Sequence, residues 1–169
     1  MSEDNNLVYI DEMFRHADEL IKDGEITEAI NVLESIIVQE PSYGKAYNHL
    51  GWIHETKYKN YKKAEECYKL ALNFTPEYPA VYINFVYLLS TLGRTQAVKE
   101  ILDKALHVEG IDRANINNEF GIYYEQQGDL DKAIDHYKTA IKISLDDKNI
   151  DIYAGSIARC EKKRNILLR

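Results

Sequence analysis

Residues 44–78 read GKAYNHLGWIHETKYKNYKKAEECYKLALNFTPEY, and residues 114–147 read ANINNEFGIYYEQQGDLDKAIDHYKTAIKISLDD. Laid over each other at Gly51 and Gly121, the two stretches agree in residue type. A large apolar residue precedes each glycine (Leu50, Phe120), then come a small residue (Ala64, Ala133), a tyrosine four places on (Tyr68, Tyr137) and an alanine three further (Ala71, Ala140). Working outward, Ala17, Gly51, Val86, Gly121 and Gly155 form one series at spacings of 34, 35, 35 and 34 residues. Ala29, Ala64, Val98 and Ala133 form a second, followed at offsets of four and seven by Leu33, Tyr68, Leu102 and Tyr137 and by Ile36, Ala71, Ala105 and Ala140. A period of this length is the signature of stacked helix pairs.

Offsets of four and seven put these side chains on one face of a helix, and a small residue beside a large one is what closely crossing helices need. Gly24, Gly93 and Gly128 each fall seven residues after the first series, where a left-handed residue ends one helix and lets the next turn back. The second unit lacks that glycine. Its turn, Lys57 to Asn60, is one residue longer, and Asn60 is the expected left-handed position.

These residues resemble the tetratricopeptide repeat, with its W-x2-L-G-x2-Y, A-x3-F and P pattern over 34 residues. The second unit matches with Tyr47, Leu50, Gly51, His54, Ala64, Tyr68, Ala71 and Pro76, and the fourth with Asn117, Phe120, Gly121, Tyr124, Ala133, Tyr137, Ala140 and Leu145. The first is looser (Met13, His16, Ala17, Leu20, Ala29, Leu33, Pro41), and the third departs most, with Val86, Val98 and Gly110. The resemblance implies an all-α, right-handed superhelical solenoid of antiparallel helix pairs forming a single domain over residues 1–169. Its repeats would run about 10–43, 44–78, 79–113 and 114–147, with a capping helix over about 148–166 whose Arg/Lys-rich tail faces water and complements the helix dipole.

In that family the first helix of each pair lines a concave face. Side chains one and two places before the large apolar slot, and two after it, point away from the packed seam at 100° per residue. From the first two units these include Phe14, Arg15 and Asp18, then Asn48, His49 and Trp52. The third and fourth units contribute Ile83, Asn84 and Tyr87, then Asn118, Glu119 and Ile122, and the last segment Ile152, Tyr153 and Ser156. An apolar strip interleaved with asparagines is a binding surface for an extended peptide or a helix, because an amide offers both donor and acceptor to a backbone. Asp11, Asp18, Glu55, Glu119 and Glu125 against Arg15, Lys22 and Lys45 favour a neutral or basic segment. One subclass of the family holds the acidic tails of heat-shock chaperones through a basic clamp. Its slots here contain Phe14, Ala80 and Asn84, or Asn48, Asn115 and Glu119 one repeat later, so no such tail is expected.

Composition narrows the function classes. A net charge of −7 disfavours nucleic acid and anionic membrane, and the one basic cluster, Arg159 to Arg169, closes the sequence. Neither Cys67 nor Cys160 belongs to a metal or disulfide spacing, and the start MSEDNN carries no secretory pattern, so the expected setting is a reducing cytoplasm. No phosphate loop, HExxH or GxSxG occurs, so neither catalysis nor a cofactor is expected. His49, His54 and Cys67 fall short of a metal set, and His16 and His54 read as interior histidines. The chain therefore reads as a protein-binding scaffold, either an adaptor or a chaperone-like holder. The alternatives are a self-associating structural subunit and, more remotely, an RNA-binding helical repeat.

Overall fold

The computed structural model describes residues 3–167, with side chains from residue 6 onward. Among the described residues all regular structure is helical: α1 (Glu3–Asp23), α2 (Ile26–Gln39), α3 (Gly44–Thr56), α4 (Tyr61–Phe74), α5 (Pro79–Thr91), α6 (Thr95–Ala105), α7 (Arg113–Gln126), α8 (Leu130–Ile143) and α9 (Asp147–Leu167). Turns of two to four residues link α1 to α2, α3 to α4 and α7 to α8, and each of these pairs packs side by side, so its members run antiparallel. The fold is an all-α helical-repeat solenoid.

Local chemistry sets the helix ends. Asn60 Oδ1 accepts from Lys63 N at 3.2 Å, Asp112 Oδ1 from Ala114 N and Asn115 N at 3.0 Å each, and Asp129 Oδ1 from Lys132 N at 3.2 Å. Each of these side chains satisfies amides that the first turn leaves unpaired. At Gly24, φ is +85°, and Glu25 N reaches back to Leu20 O at 2.9 Å, which reverses the chain within two residues. The longer second turn departs from expectation. Lys59 takes the left-handed conformation (φ +53°) and Asn60 does not, because the Asn60 side chain is engaged as the cap of α4.

The helices divide into two compact units at Leu88, within α5: Met1–Leu88 and Leu89–Arg169. In the first, Ile10, Ala17, Leu33, Ile36, Ala46, Leu50 and Ile53 form a core with Cys67 at its margin. In the second, Leu130, Ala133, Ile134, Tyr137 and Cys160 form one cluster, and Ala114, Ala140 and Tyr153 another. Fully burying a side chain such as Leu33 or Ile36 contributes about 1.5–3 kcal/mol, so these stripes hold the pairs together. The bulkier Val86 and Val98 of the third repeat are both buried. His54 is interior, as expected, but His16 is exposed. Its counterpart Leu50 is covered, α3 packing against α2 as well as α4.

The glycines of the first series are needed for close approach. A Cβ on Gly51 would lie 2.7 Å from the Tyr68 ring, and one on Gly121 would lie 2.5 Å from the Tyr137 ring. Around Gly155, the same slot in α9, there is nothing within 4 Å.

Candidate binding surfaces

In the first unit, α1, α3 and the start of α5 bring several expected surface residues together. The Phe14 ring meets His49 edge-on, with centroids 4.6 Å apart. His49 sits between α1 and α3, its Nδ1 3.2 Å from Lys45 O and its Nε2 3.5 Å from Asp18 Oδ1. Asn84 Nδ2 donates to Asn48 Oδ1 at 3.0 Å, joining α5 to α3 through an amide pair. Trp52 and Ile83 are half-buried, and Tyr87 is 44% exposed. Asn48 differs from expectation. It is only 2% exposed, so its amide helps to hold the helices while the Asn84 amide is the more open of the two.

These side chains border an open cavity of about 270 Å³ lined by Asp18, Ile21, Asn48, His49, Trp52, Tyr78, Ala80 and Asn84. Ile21, Tyr78 and Ala80 are the lining residues that the offset rule missed. Ile21 stands four residues after Ala17, on the same helical face, whereas Tyr78 belongs to the turn before Pro79, which no helical offset reaches. The hydrogen bond from Lys22 Nζ to Asp18, 2.6 Å long, holds that carboxyl below its usual range. Burial pushes the His49 imidazole down, against the opposing pull of the Lys45 carbonyl and Asp18, and so favours its neutral form. Lys57 Nζ stands 5.4 Å from the centroid of the Trp52 ring.

The second unit treats its share of the residues differently. Ile122 is half-buried against the Leu130 cluster and Ile152 is half exposed, but Glu119 is only 7% and Tyr153 only 4% exposed. Tyr153 packs with Ala114 and Ala140, because α9 lies against α8 and turns that face inward. Asn118 Nδ2 donates to Glu119 Oε1 at 3.1 Å, and burial pushes the Glu119 carboxyl up to about 7 in spite of that bond. Ser156 is also buried, its hydroxyl donating to Ile152 O at 3.1 Å.

A second constellation appears once in each unit. Tyr68 Oη donates to Glu55 Oε2 at 2.7 Å, and Tyr137 Oη donates to Glu125 Oε2 at 2.9 Å. Each glutamate stands four residues after the glycine on which the tyrosine ring rests. Glu125 also receives Arg159 through Nε (2.8 Å) and an Nη (2.7 Å), and Lys163 Nζ at 2.7 Å. Arg164 reaches Asp131 at 2.7 Å. The basic segment of α9, expected to face water, thus docks in part on α7 and α8. The Arg159 bonds, followed by those of Lys163 and Tyr137, hold the Glu125 carboxyl far below its usual range against the opposing effect of burial, whereas burial pushes Glu55 up. Among the described residues no group of three potential ligands is placed to hold a metal ion, and no helix is long and apolar enough to cross a membrane.

Tetratricopeptide repeat family models match residues 14–80 and 114–147. Among solved structures the fold is similar to PilF of Pseudomonas aeruginosa (TM-score 0.84, 18% identity, 97% of this chain and 72% of that one). It is also similar to TTC0263, a thermophilic TPR protein of Thermus thermophilus (0.71, 20%, 86% and 80%). A third similar structure is YrrB, described as a TPR protein with an unusual peptide-binding site (0.72, 18%, 90% and 76%). No curated protein matches the sequence.

Proposed function

The chain belongs to the tetratricopeptide repeat family, and on that premise we propose that it is an adaptor or chaperone-like scaffold that holds a segment of a partner protein without chemistry of its own. Proteins of this family mediate protein–protein interaction. The observation that carries the reading for this chain is the open cavity of the first unit, with the Trp52 ring on one side and the Asn84–Asn48 amide pair on another. Aromatic side chains supply most of the affinity at such surfaces, and an amide supplies backbone hydrogen bonds without demanding one side-chain sequence. Phe14, His49, Ile83 and Tyr87 extend this patch, and the second unit offers Asn118, Ile122 and Ile152 on its own surface. The peptide-binding site attributed to YrrB is a precedent within the fold.

The partner segment is neutral or basic. Residues 1–88 hold eight Lys/Arg against fifteen Asp/Glu, and residues 89–169 hold thirteen of each, so the long-range field of the first unit attracts cations. Acidic chaperone tails and nucleic acid are disfavoured on the same ground. A cytoplasmic setting suits two cysteines that stay unpaired and buried. The test is capture of a co-purifying protein, identified by mass spectrometry, with the wild type and with Trp52→Ala/Tyr87→Ala. Capture should be lost in the double variant while the helical circular dichroism is retained, and undiminished capture would refute the surface assignment.

A second reading, a self-associating subunit, draws on the open slot at Gly155, where the equivalent glycines each receive a tyrosine ring. It predicts a mass that rises with concentration in light scattering, and a monomer at the highest concentration removes it.

A further inference from the structure

The paired constellations at Glu55 and Glu125 have unequal contents. Both carboxylates take a hydrogen bond from a buried tyrosine whose ring lies against a helical glycine, so the backbone and ring geometry around them is the same. Glu125 is completed by a forked pair of bonds from Arg159 and one from Lys163, both carried by α9. Arg159 stands four residues after Gly155. The residue four after Val86, the matching place in α5, is Ser90, which carries no charge, whereas the place of Lys163, eight after Gly155, is held by Arg94, eight after Val86.

We propose that Glu55 is a receptor for a cationic side chain, an arginine above all, presented by the partner segment that the first unit binds. The proposal rests on the binding reading given above and names the chemistry of one contact within it. Four observations point the same way. Tyr68 Oη bonds Oε2 of Glu55, leaving Oε1 to take a second donor. Glu55 is half-buried, so an arriving cation meets a carboxylate that water screens incompletely. Lys59 acts on it only through its field. Finally, Trp52, which lines the cavity, stands three residues earlier on α3 and therefore on the same side of the helix.

Arginine is favoured over lysine because the filled twin shows what the site accepts. The Arg159 guanidinium spans both oxygens of Glu125, and its planar fork matches a carboxylate in a way that an ammonium cannot. A guanidinium offered to Glu55 would bond Oε1 and share Oε2 with the tyrosine hydroxyl, as Arg159 does with Tyr137.

The test uses the full chain and two blocked peptides, Ac-AQARAQA-NH2 and the same peptide with citrulline for arginine, which keeps the shape and removes the charge. Binding is read from the fluorescence of the single tryptophan, Trp52, and from the 13C resonance of the Glu55 carboxyl. The arginine peptide should bind about five- to tenfold more tightly than the citrulline peptide. It should also lower the midpoint at which the Glu55 resonance titrates. In Glu55→Gln, which retains an acceptor for Tyr68, the arginine peptide should fall to the level of the citrulline peptide. Equal binding of the two peptides by the wild type, or a preference that survives in Glu55→Gln, overturns the assignment of Glu55 and leaves the binding surface standing. Failure of both peptides to perturb Trp52 and Glu55 at millimolar concentration removes the surface and this contact together.

Discussion

The pairs α3/α4 and α7/α8 are built alike and charged differently. In both, a glycine admits a tyrosine ring, and the tyrosine hydroxyl donates to a glutamate one turn along. In the first pair burial outweighs the Tyr68 hydrogen bond and the field of Lys59, and the carboxyl is pushed up. In the second, Arg159 and Lys163 arrive from α9 and hold it far down. The repeat slot thus fixes where a carboxylate stands, and in the second pair the helix that follows supplies the cations that make it a stabilising anion.

The largest effect should come from the shared part. Gly121→Ala places a methyl 2.5 Å from a ring that is itself fully buried. Overpacking of about 3 kcal/mol, offset by about 1 kcal/mol of helix propensity, leaves a net loss of about 2 kcal/mol, seen as a melting temperature about 4–8 °C lower. Gly51→Ala should behave alike. A neutral result in either would mean that the tyrosine can move aside.

The next effect separates the two pairs. Glu125→Gln should cost about 1–2 kcal/mol in chemical denaturation at pH 7, less than a fully buried pair because Arg159 and Lys163 are about half exposed. Glu55→Gln should change stability by about 0.5 kcal/mol or less. Because the folded carboxyl of Glu125 lies below its unfolded value, its contribution is complete above the ordinary glutamate range and is lost as pH falls below it. The gap between wild type and Glu125→Gln should therefore narrow below about pH 4. A gap independent of pH would break the comparison.

A smaller effect of opposite sign belongs to Glu119, which occupies the slot held by His49 in the second repeat. Its carboxyl is raised to about 7, so between the ordinary glutamate value and 7 the folded state binds more protons than the unfolded one, and stability falls as pH rises through that window. Glu119→Gln should be more stable than wild type by about 1 kcal/mol at pH 8.5 and equal to it at pH 5. Smallest of all, Gly155→Ala should stabilise by about 0.5–1 kcal/mol, since its slot is open and α9 gains a better helix former. Destabilisation there would mean that a partner or a second copy fills the slot in solution.

The helix pairs were legible in the sequence because small residues at a fixed period must face each other, and Gly51 and Gly121 do. Asn60 was misread because one side chain had two uses, a left-handed turn or a helix cap, and the cap prevailed. The burial of Asn48, Glu119 and Tyr153 escaped the offset rule, which gives the direction of a side chain but not how far the next helix leans over it. The Glu125 cluster joins residues 34 and 38 apart and looked like unrelated surface charge. The signal that finds it is an acid and a base at the same slot of consecutive units, Glu125 four after Gly121 and Arg159 four after Gly155.

Each unit also carries one cysteine, Cys67 in the first and Cys160 in the second, both buried and both with thiols pushed up to about 11, burial being the main cause. Thiols so placed react with an alkylating reagent only when their surroundings open. The molecule therefore holds two internal clocks, and the ratio of their labelling rates reports which half breathes first.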